Sequence, residues 1–164
     1  MTSGMLFTAQ YESPLGTIGL VSDGVALTGL RFGVGEEAVP AADVPAIADA
    51  CRWLDLYFSG LQPGFLPPLN LVGTAFRQRV WQALMEIPYG ATATYGAIAR
   101  HIGCRSAQAV GQAVGSNPVA IIVPCHRVVG SGGALTGYAY GVERKEYLLQ
   151  LEAGRHASAA TASR

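Results

Sequence analysis

The sequence has little of what disulfide-stabilised or membrane proteins contain. Its 164 residues include three cysteines, Cys51, Cys104 and Cys125, and this odd, widely spaced set does not form a disulfide framework. No apolar run approaches the roughly 20 residues that a membrane span requires. The first residues carry no basic region followed by a long apolar region, so we expect no secretory signal. These absences predict a cytoplasmic protein without membrane association.

Histidine is also scarce, which limits the possible metal sites. Residues 1–73 contain one cysteine and no histidine, so we expect no zinc site there. A zinc site built from His101, Cys104, Cys125 and His126 is a competing interpretation. It is disfavoured because His101 and Cys104 straddle the end of a predicted helix and no second spaced pair follows. We therefore predict no metal.

The net charge of zero conceals a difference between the two halves of the chain. Residues 1–73 carry two basic and seven acidic groups, and residues 74–164 carry nine basic and four acidic groups. The first part therefore has a net charge near −5 and the second a net charge near +5. This difference indicates two structural units, of which the second faces a polyanion. Chance clustering of solvated charges is the alternative that charge alone leaves open.

Turn and cap residues divide the first half into strands, a helix and a linker. Residues 7–33 predict three short strands, with Gly24 at a turn that requires positive φ. Residues 43–60 predict a helix capped by Asp43. Residues 61–73 are rich in proline and glycine and indicate a linker.

The second half predicts a helix-turn-helix. Thr74 caps a helix that Pro88 stops, and two short helices follow that Thr94 and Ser106 can cap. The second short helix, SAQAVGQAVG, consists almost entirely of small side chains. Such a helix can approach the DNA minor groove closely. Packing of a small-residue helix on its neighbour is the alternative, and periodicity alone favours it.

The stretch AIIVPCHRVVG, residues 120–130, places a thiol beside an imidazole and a guanidinium. We interpret AIIV as a strand that Pro124 ends. Cys125 can become a thiolate if His126, Arg127 or backbone N–H groups assist it. His126 can reach Cys125 only if the chain turns or a water bridges them, and Glu152 is a candidate to orient the imidazole.

Four blocks, FRQRVWQALMEIPYGATATYGAIA, AVGQAVGSNPVAIIVPCHRVVG, LTGYAYGVERK and LLQLE, stand in this order between residues 76 and 152. In these blocks the chain closely resembles the O6-alkylguanine-DNA alkyltransferases (methylated-DNA–protein-cysteine methyltransferases), whereas residues 1–73 fit only weakly. The resemblance implies an α+β fold with a small ribonuclease H-like α/β domain over residues 1–73. A winged helix-turn-helix-like domain over residues 74–154 would carry the active-site cysteine, and residues 155–164 would be a disordered tail.

The resemblance also implies direct, irreversible DNA repair without a cofactor. Cys125 would take the alkyl group from O6 of a guanine flipped out of double-stranded DNA. His126 would accept the thiol proton through a water, and Glu152 would hold the imidazole. Asn117 would bond backbone near the cysteine. Tyr95 would donate toward guanine N3 and crowd the phosphate.

The resemblance also implies which residues form the guanine pocket and which contact DNA. The carbonyls of Cys125 and Val128 would accept from the guanine amino group, and Tyr138 and the Ala139 backbone would form the pocket wall. Many members have an arginine in the gap left by the flipped base, where this chain has Gln108, with Arg105 nearby. The implied DNA-binding residues are Tyr95, Arg105, Ala107 and Gln108.

Two other functions are consistent with the same fold. A damage sensor without transfer is disfavoured because such proteins lack the acceptor cysteine and Cys125 is present. A cysteine hydrolase would not need a basic half. The expected partner is double-stranded DNA containing O6-alkylguanine, with O4-alkylthymine as a further candidate. We expect a monomer in the cytoplasm, associated with the nucleoid through DNA, whose binding could be cooperative.

Overall fold

The computed structural model describes residues 5–33, 39–40 and 43–154. It divides into two compact units, Met1–Leu71 and Val72–Arg164. Both units mix helices and strands or turns, which confirms the α+β class. The predicted tail, residues 155–164, lies outside the described residues. The domain boundaries given above stay predictions.

The first unit contains a four-stranded sheet in the order β3-β2-β1-β4. Strands β1 to β3 are the three predicted strands; they pair antiparallel, and Gly24 has φ +98° in the turn as expected. A short fourth strand, not predicted, pairs parallel with β1. The strands are β1 (Phe7–Ser13), β2 (Gly16–Ser22), β3 (Leu27–Phe32) and β4 (Val39–Pro40).

Helix α1, Pro45–Phe58, packs on this sheet. The prediction that Asp43 caps it is wrong. Because Pro45 occupies the first helical turn, Val44 is the N-cap residue and no side chain accepts a capping hydrogen bond there. The buried face of α1 and the inner strands form the core of this unit: Ile18, Leu20, Leu27, Leu30, Ile47, Ala50, Leu54 and Tyr57 are all buried.

The second unit is organised by three helices that pack on one another. They are α2 (Ala75–Met85), α3 (Tyr95–Ile102) and α4 (Ala107–Gly115). The predicted caps Thr74, Thr94 and Ser106 are confirmed, because each side-chain oxygen accepts from the backbone N–H three residues later. Gly103 ends α3 in the left-handed conformation, with φ +72°.

The predicted strand over residues 120–123 is wrong. These residues are buried, but they form consecutive turns, and Ile121 has a positive φ of 70°. A short apolar run shows burial without showing backbone conformation, and that ambiguity misled the prediction. After the turns the chain forms a 3₁₀ turn (Cys125–Arg127), strand β6 (Val128–Val129), a second 3₁₀ turn (Ser131–Gly133) and helix α5 (Val142–Glu152). Strand β6 pairs parallel with β5 (Ala93–Thr94).

Candidate active site

Cys125 begins the 3₁₀ turn, and Asn117 holds the loop that leads to it. The Nδ2 atom of Asn117 donates to the carbonyl of Val123 at 2.7 Å, and its Oδ1 accepts from the N–H of Val119 at 2.9 Å. Both bonds lie in the buried interior. One side chain therefore closes the chain of turns and sets the position of the cysteine.

The thiol is buried, with 6% of Cys125 exposed. Burial raises the pKa of the Cys125 thiol, and a hydrogen bond from Asn117 and the positive charge of Lys145 oppose that rise. The neutral thiol is therefore the resting form at neutral pH. Any reaction at sulfur must include removal of its proton.

A narrow cavity of about 10 Å³ adjoins the thiol. A space of that size holds about one water molecule. Burial raises the pKa of Tyr138 well above its ordinary value, which keeps its hydroxyl protonated beside the thiol. The lining residues are Val114, Gly115, Asn117, Cys125, Gly137, Tyr138, Ala139 and Tyr140.

His126 and Glu152 form a buried pair. The Nε2 atom of His126 lies 2.6 Å from Oε2 of Glu152. Burial lowers the pKa of His126 and the bond to Glu152 opposes the change, so the imidazole is neutral at rest. The Nε2 atom is engaged by the carboxylate, and the other ring nitrogen, Nδ1, is also buried.

Arg127 is a second partner of the same carboxylate. Its Nε donates to Oε1 of Glu152 at 2.8 Å, and its Nη2 donates to Oε2 at 3.1 Å. Its Nη1 donates to the carbonyl of Ile87 at 2.7 Å. Although burial opposes it, the bonds and charges of His126 and Arg127 lower the pKa of Glu152 to about 2. Arg127 thus points to the carboxylate, a role that the sequence did not indicate.

Tyr95 is the first residue of α3 and faces two other elements of the site. Its ring lies 5.9 Å from the ammonium of Lys145, and a Cβ atom added at Gly111 of α4 would lie 3.8 Å from the ring. Burial raises the pKa of Tyr95, and a side-chain hydrogen bond with Thr136 opposes the change. Its hydroxyl is therefore a proton donor at neutral pH.

Helix α4 packs on its neighbours along one face, as the alternative interpretation of the small-residue stretch predicted, and is exposed along the other. Val110, Ala113 and Val114 are buried, and the carbonyl of Ala113 accepts a hydrogen bond from Nε1 of Trp81 at 2.9 Å. Ala107, Gln108 and Gln112 of this helix are exposed, as is Arg105 just before it. One face therefore packs in the core and the other is available to a partner.

The remaining predicted residues fall into two groups. Val128 is buried in β6 and does not line the cavity described above, whereas Ala139 is exposed on the cavity wall. The four residues of the alternative zinc site are not brought together: His101 Nε2 lies 3.1 Å from Glu86 Oε1, and Cys104 bonds Ser106.

Within the described ranges, no helix is long and apolar enough to cross a membrane.

Lys145 on α5 is the other functional candidate that the sequence prediction missed. The side chain is completely buried, and its Nζ donates to the carbonyl of Thr136 at 2.7 Å. The signal available in the sequence was the block LTGYAYGVERK, which contains both residues. Nothing local in that block shows that the lysine points inward.

Two family models match the chain. The DNA-binding domain of 6-O-methylguanine DNA methyltransferase matches residues 75–154, and the ribonuclease-like domain of the same family matches residues 6–71. Together they span nearly all of the described residues.

Curated relatives and solved structures agree with these models. A methylated-DNA–protein-cysteine methyltransferase of Methanosarcina acetivorans is 45% identical over 153 residues, covering 90% of this chain and 98% of the relative. One from Mycobacterium bovis is 46% identical over 157 residues, with coverages of 92% and 94%. The crystal structure of the Mycobacterium tuberculosis O6-methylguanine methyltransferase matches with a TM-score of 0.83 at 46% identity, over 92% of this chain and 94% of that one. The M. tuberculosis protein in complex with DNA matches with a TM-score of 0.81 at 47% identity, with coverages of 92% and 93%.

Proposed function

Since this chain belongs to the 6-O-methylguanine DNA methyltransferase family, whose members repair DNA by alkyl transfer, we propose that it moves the alkyl group of O6-alkylguanine irreversibly onto Cys125. One observation carries the proposal. A buried thiol adjoins a cavity and lies in the same turn as an imidazole that is paired with a buried carboxylate. A nucleophile, a base and a group that orients the base are the parts that thiol alkylation needs.

The proposed reaction has a simple balance. The Cys125 sulfur forms a bond to the alkyl carbon while the bond from that carbon to O6 breaks, and the electron pair stays on the guanine. One proton leaves the thiol toward His126, directly or through a water, and one proton reaches the base from the side of Tyr95. The products are S-alkylcysteine and unmodified guanine. Since the thioether cannot leave again, each protein molecule acts once.

The electrostatics of the site support this assignment. The neutral imidazole of His126 can accept a proton, and the ionised Glu152 stabilises the imidazolium that results. The protonated hydroxyl of Tyr95 can donate to guanine N3, which makes the base a better leaving group. The cavity beside the sulfur is lined by residues 137–140, so we place the flipped base against this wall.

We propose that the exposed face of α4 enters the minor groove and that the target base is flipped into the site. Ala107 and Gln108 are exposed at the start of this helix, and Arg105 is exposed just before it. A Cβ atom added at Gly111 would lie 3.8 Å from the Tyr95 ring. Flipping costs a few kcal/mol of lost stacking and pairing, and phosphate contacts must offset it. We also propose that the protein acts on DNA as a monomer in the cytoplasm. O4-alkylthymine is the second substrate that we propose.

The test is intact-mass measurement after incubation with a duplex that carries one O6-methylguanine. We expect one added methyl group, located on Cys125 by peptide mapping, and no repair beyond one equivalent. Cys125→Ser should abolish the mass gain and keep DNA binding. Cys51→Ser and Cys104→Ser are matched controls, since both cysteines lie outside the cavity lining, and each variant should still gain the methyl group.

The alternatives give different results in the same experiment. A damage sensor would bind the duplex with neither mass gain nor repair. A hydrolase would repair many equivalents without a stable adduct. A mass gain on Cys51 or Cys104 in place of Cys125 would contradict the assignment of the acceptor.

A further inference from the structure

Arg100 is an exposed cation of helix α3 that has no acidic partner. The basic side chains of this helix are Arg100 and His101, both in its last turn. Nε2 of His101 lies 3.1 Å from Oε1 of Glu86. In the part of the chain that the structure describes, no carboxylate forms an ion pair with Arg100. Because a guanidinium offers a planar fork of donors that matches phosphate, this side chain is available to an anion.

The guanidinium of Arg100 is directed toward the start of its own helix. A Cβ atom added at Gly96 would lie 3.5 Å from Nη1 of Arg100 and 4.0 Å from Oγ1 of the N-cap residue Thr94. Helical side chains lean toward the N-terminus, which brings residue 100 over residue 96. The charge therefore lies away from the C-terminal carbonyls of α3, and stabilisation of the helix dipole does not account for it.

Gly96 leaves room beside this guanidinium. Its φ is not positive, and a Cβ atom there would make only ordinary contacts. Neither backbone conformation nor packing among the described residues therefore requires a glycine at this position, although glycine destabilises a helix relative to alanine. Glycine is also used where a backbone approaches a ligand closely. Gly96 and Arg100 thus combine an accessible backbone with an unpaired cation.

Tyr95 connects this surface to helix α4. It directly precedes Gly96, and a Cβ atom added at Gly111 of α4 would lie 3.8 Å from its ring. In well-known helix-turn-helix complexes the second helix lies in a groove of the DNA while the first helix crosses the backbone. We expect the same relation between the two helices when α4 lies in the minor groove. Helix α3 is then the helix that meets the phosphates.

We propose, on the basis of the function proposed above, that Arg100 binds a phosphate of the DNA backbone beside the start of α3. Its guanidinium donates to the phosphate oxygens, and Gly96 gives the phosphate room to approach the helix. The contact adds a positive charge to an interface in which residue 108 is a neutral glutamine. It strengthens binding to every duplex equally, because phosphates carry no base identity.

The alternative is a solvated arginine that contributes only to the net charge of the unit. Arg100→Gln removes the charge and Arg100→Lys restores it. Arg77→Gln is the matched control, because it removes the same charge from an exposed arginine of α2. The measurement is fluorescence anisotropy with two labelled duplexes, one undamaged and one carrying a single O6-methylguanine, between about 50 and 200 mM salt.

We expect Arg100→Gln to weaken binding to both duplexes by the same factor. One lost phosphate contact reduces the slope of log affinity against log salt by about 0.9, so the weakening should be about 3.5-fold larger at the lower salt concentration. Arg100→Lys should recover the slope, and Arg77→Gln should leave it unchanged. An unchanged slope in Arg100→Gln, or an equal change in Arg77→Gln, would overturn the proposal.

A second measurement separates binding from chemistry. At saturating duplex, the single-turnover rate of methyl transfer should be the same for the wild type and Arg100→Gln, whereas the variant should need more duplex to reach half of that rate. A lower rate at saturation would show that Arg100 acts on the reacting groups, contrary to the proposal. If the wild type gains no methyl group, the proposed function fails, while the salt dependence with the undamaged duplex still decides the role of Arg100.

Discussion

The Oε2 atom of Glu152 lies 2.6 Å from Nε2 of His126, and 1% and 0% of the two side chains are exposed. Arg127 bonds both oxygens of the same carboxylate. A buried carboxylate with two partners remains ionised, which allows a neutral imidazole beside it to become charged when a proton arrives. This arrangement supports the proposed role of His126 as the proton acceptor.

This pair predicts two stages of acid destabilisation. The pKa of His126 is lower than its ordinary 6.5, so below pH 6.5 the unfolded chain takes up a proton that the folded chain resists, and stability falls. Glu152 has a pKa of about 2 against an ordinary 4.5, so its contribution is complete above pH 4.5 and is lost as the pH falls toward 2. That contribution is about 3 kcal/mol.

The measurement is urea unfolding of a Trp53→Phe variant over a pH series, followed by the fluorescence of Trp81, which reports the second unit alone. Glu152→Gln should remove the stage between pH 4.5 and 2. Glu86→Gln, at an exposed carboxylate that faces His101, is the matched control and should leave both stages in place.

Asn117→Ala should destabilise the second unit and slow methyl transfer. The change leaves the buried Val119 N–H without a partner and removes one of the two hydrogen bonds that the Val123 carbonyl accepts, which costs about 1 to 3 kcal/mol, and it loosens the loop before Cys125. Urea unfolding and the single-turnover rate report the two effects. Asn70→Ala is the control, because the Asn70 side chain makes an exposed bond to Asp23, and a similar loss there would contradict the explanation.

Gln108→Arg should tighten binding to a duplex that contains O6-methylguanine more than binding to an undamaged duplex. Gln108 is exposed at the start of α4, where an arginine can fill the gap left by a flipped base. Gln112→Arg, one turn later on the exposed side, adds the same charge and should tighten both duplexes equally. Fluorescence anisotropy at several salt concentrations measures this, and both variants should steepen the salt dependence. Equal effects of the two variants on both duplexes would show that residue 108 does not occupy the gap.

Methylation of Cys125 should lower the thermal midpoint of the second unit. The cavity beside the sulfur is about 10 Å³, so an added methyl group must displace packed side chains, which costs about 1 to 3 kcal/mol. Calorimetry of the protein before and after reaction with the lesion duplex checks this. A midpoint that rises after methylation would contradict it.

The parts of the fold that depend on residues close together in the sequence were predictable. Caps at Thr74, Thr94 and Ser106 follow from side chains that bond a backbone N–H three residues away, and Gly24 and Gly103 have the positive φ that their turns require. The backbone of residues 120–123 was not predictable in this way. Burial from all sides makes a loop as apolar as a strand, and Asn117 rather than strand pairing holds that loop.

Local residue chemistry is therefore sufficient for the helix-turn-helix, and the ordered motif blocks are sufficient for the family and for the prediction that Cys125 is the alkyl acceptor. Tertiary folding decides which charges meet. It brings α5 against the turn at residues 125–127, so that Glu152 serves both His126 and Arg127 while Lys145 faces inward at Thr136 and Tyr95. These contacts join residues 9 to 50 positions apart. No local pattern encodes them, because the free energy of burying a charge depends on every group that surrounds it.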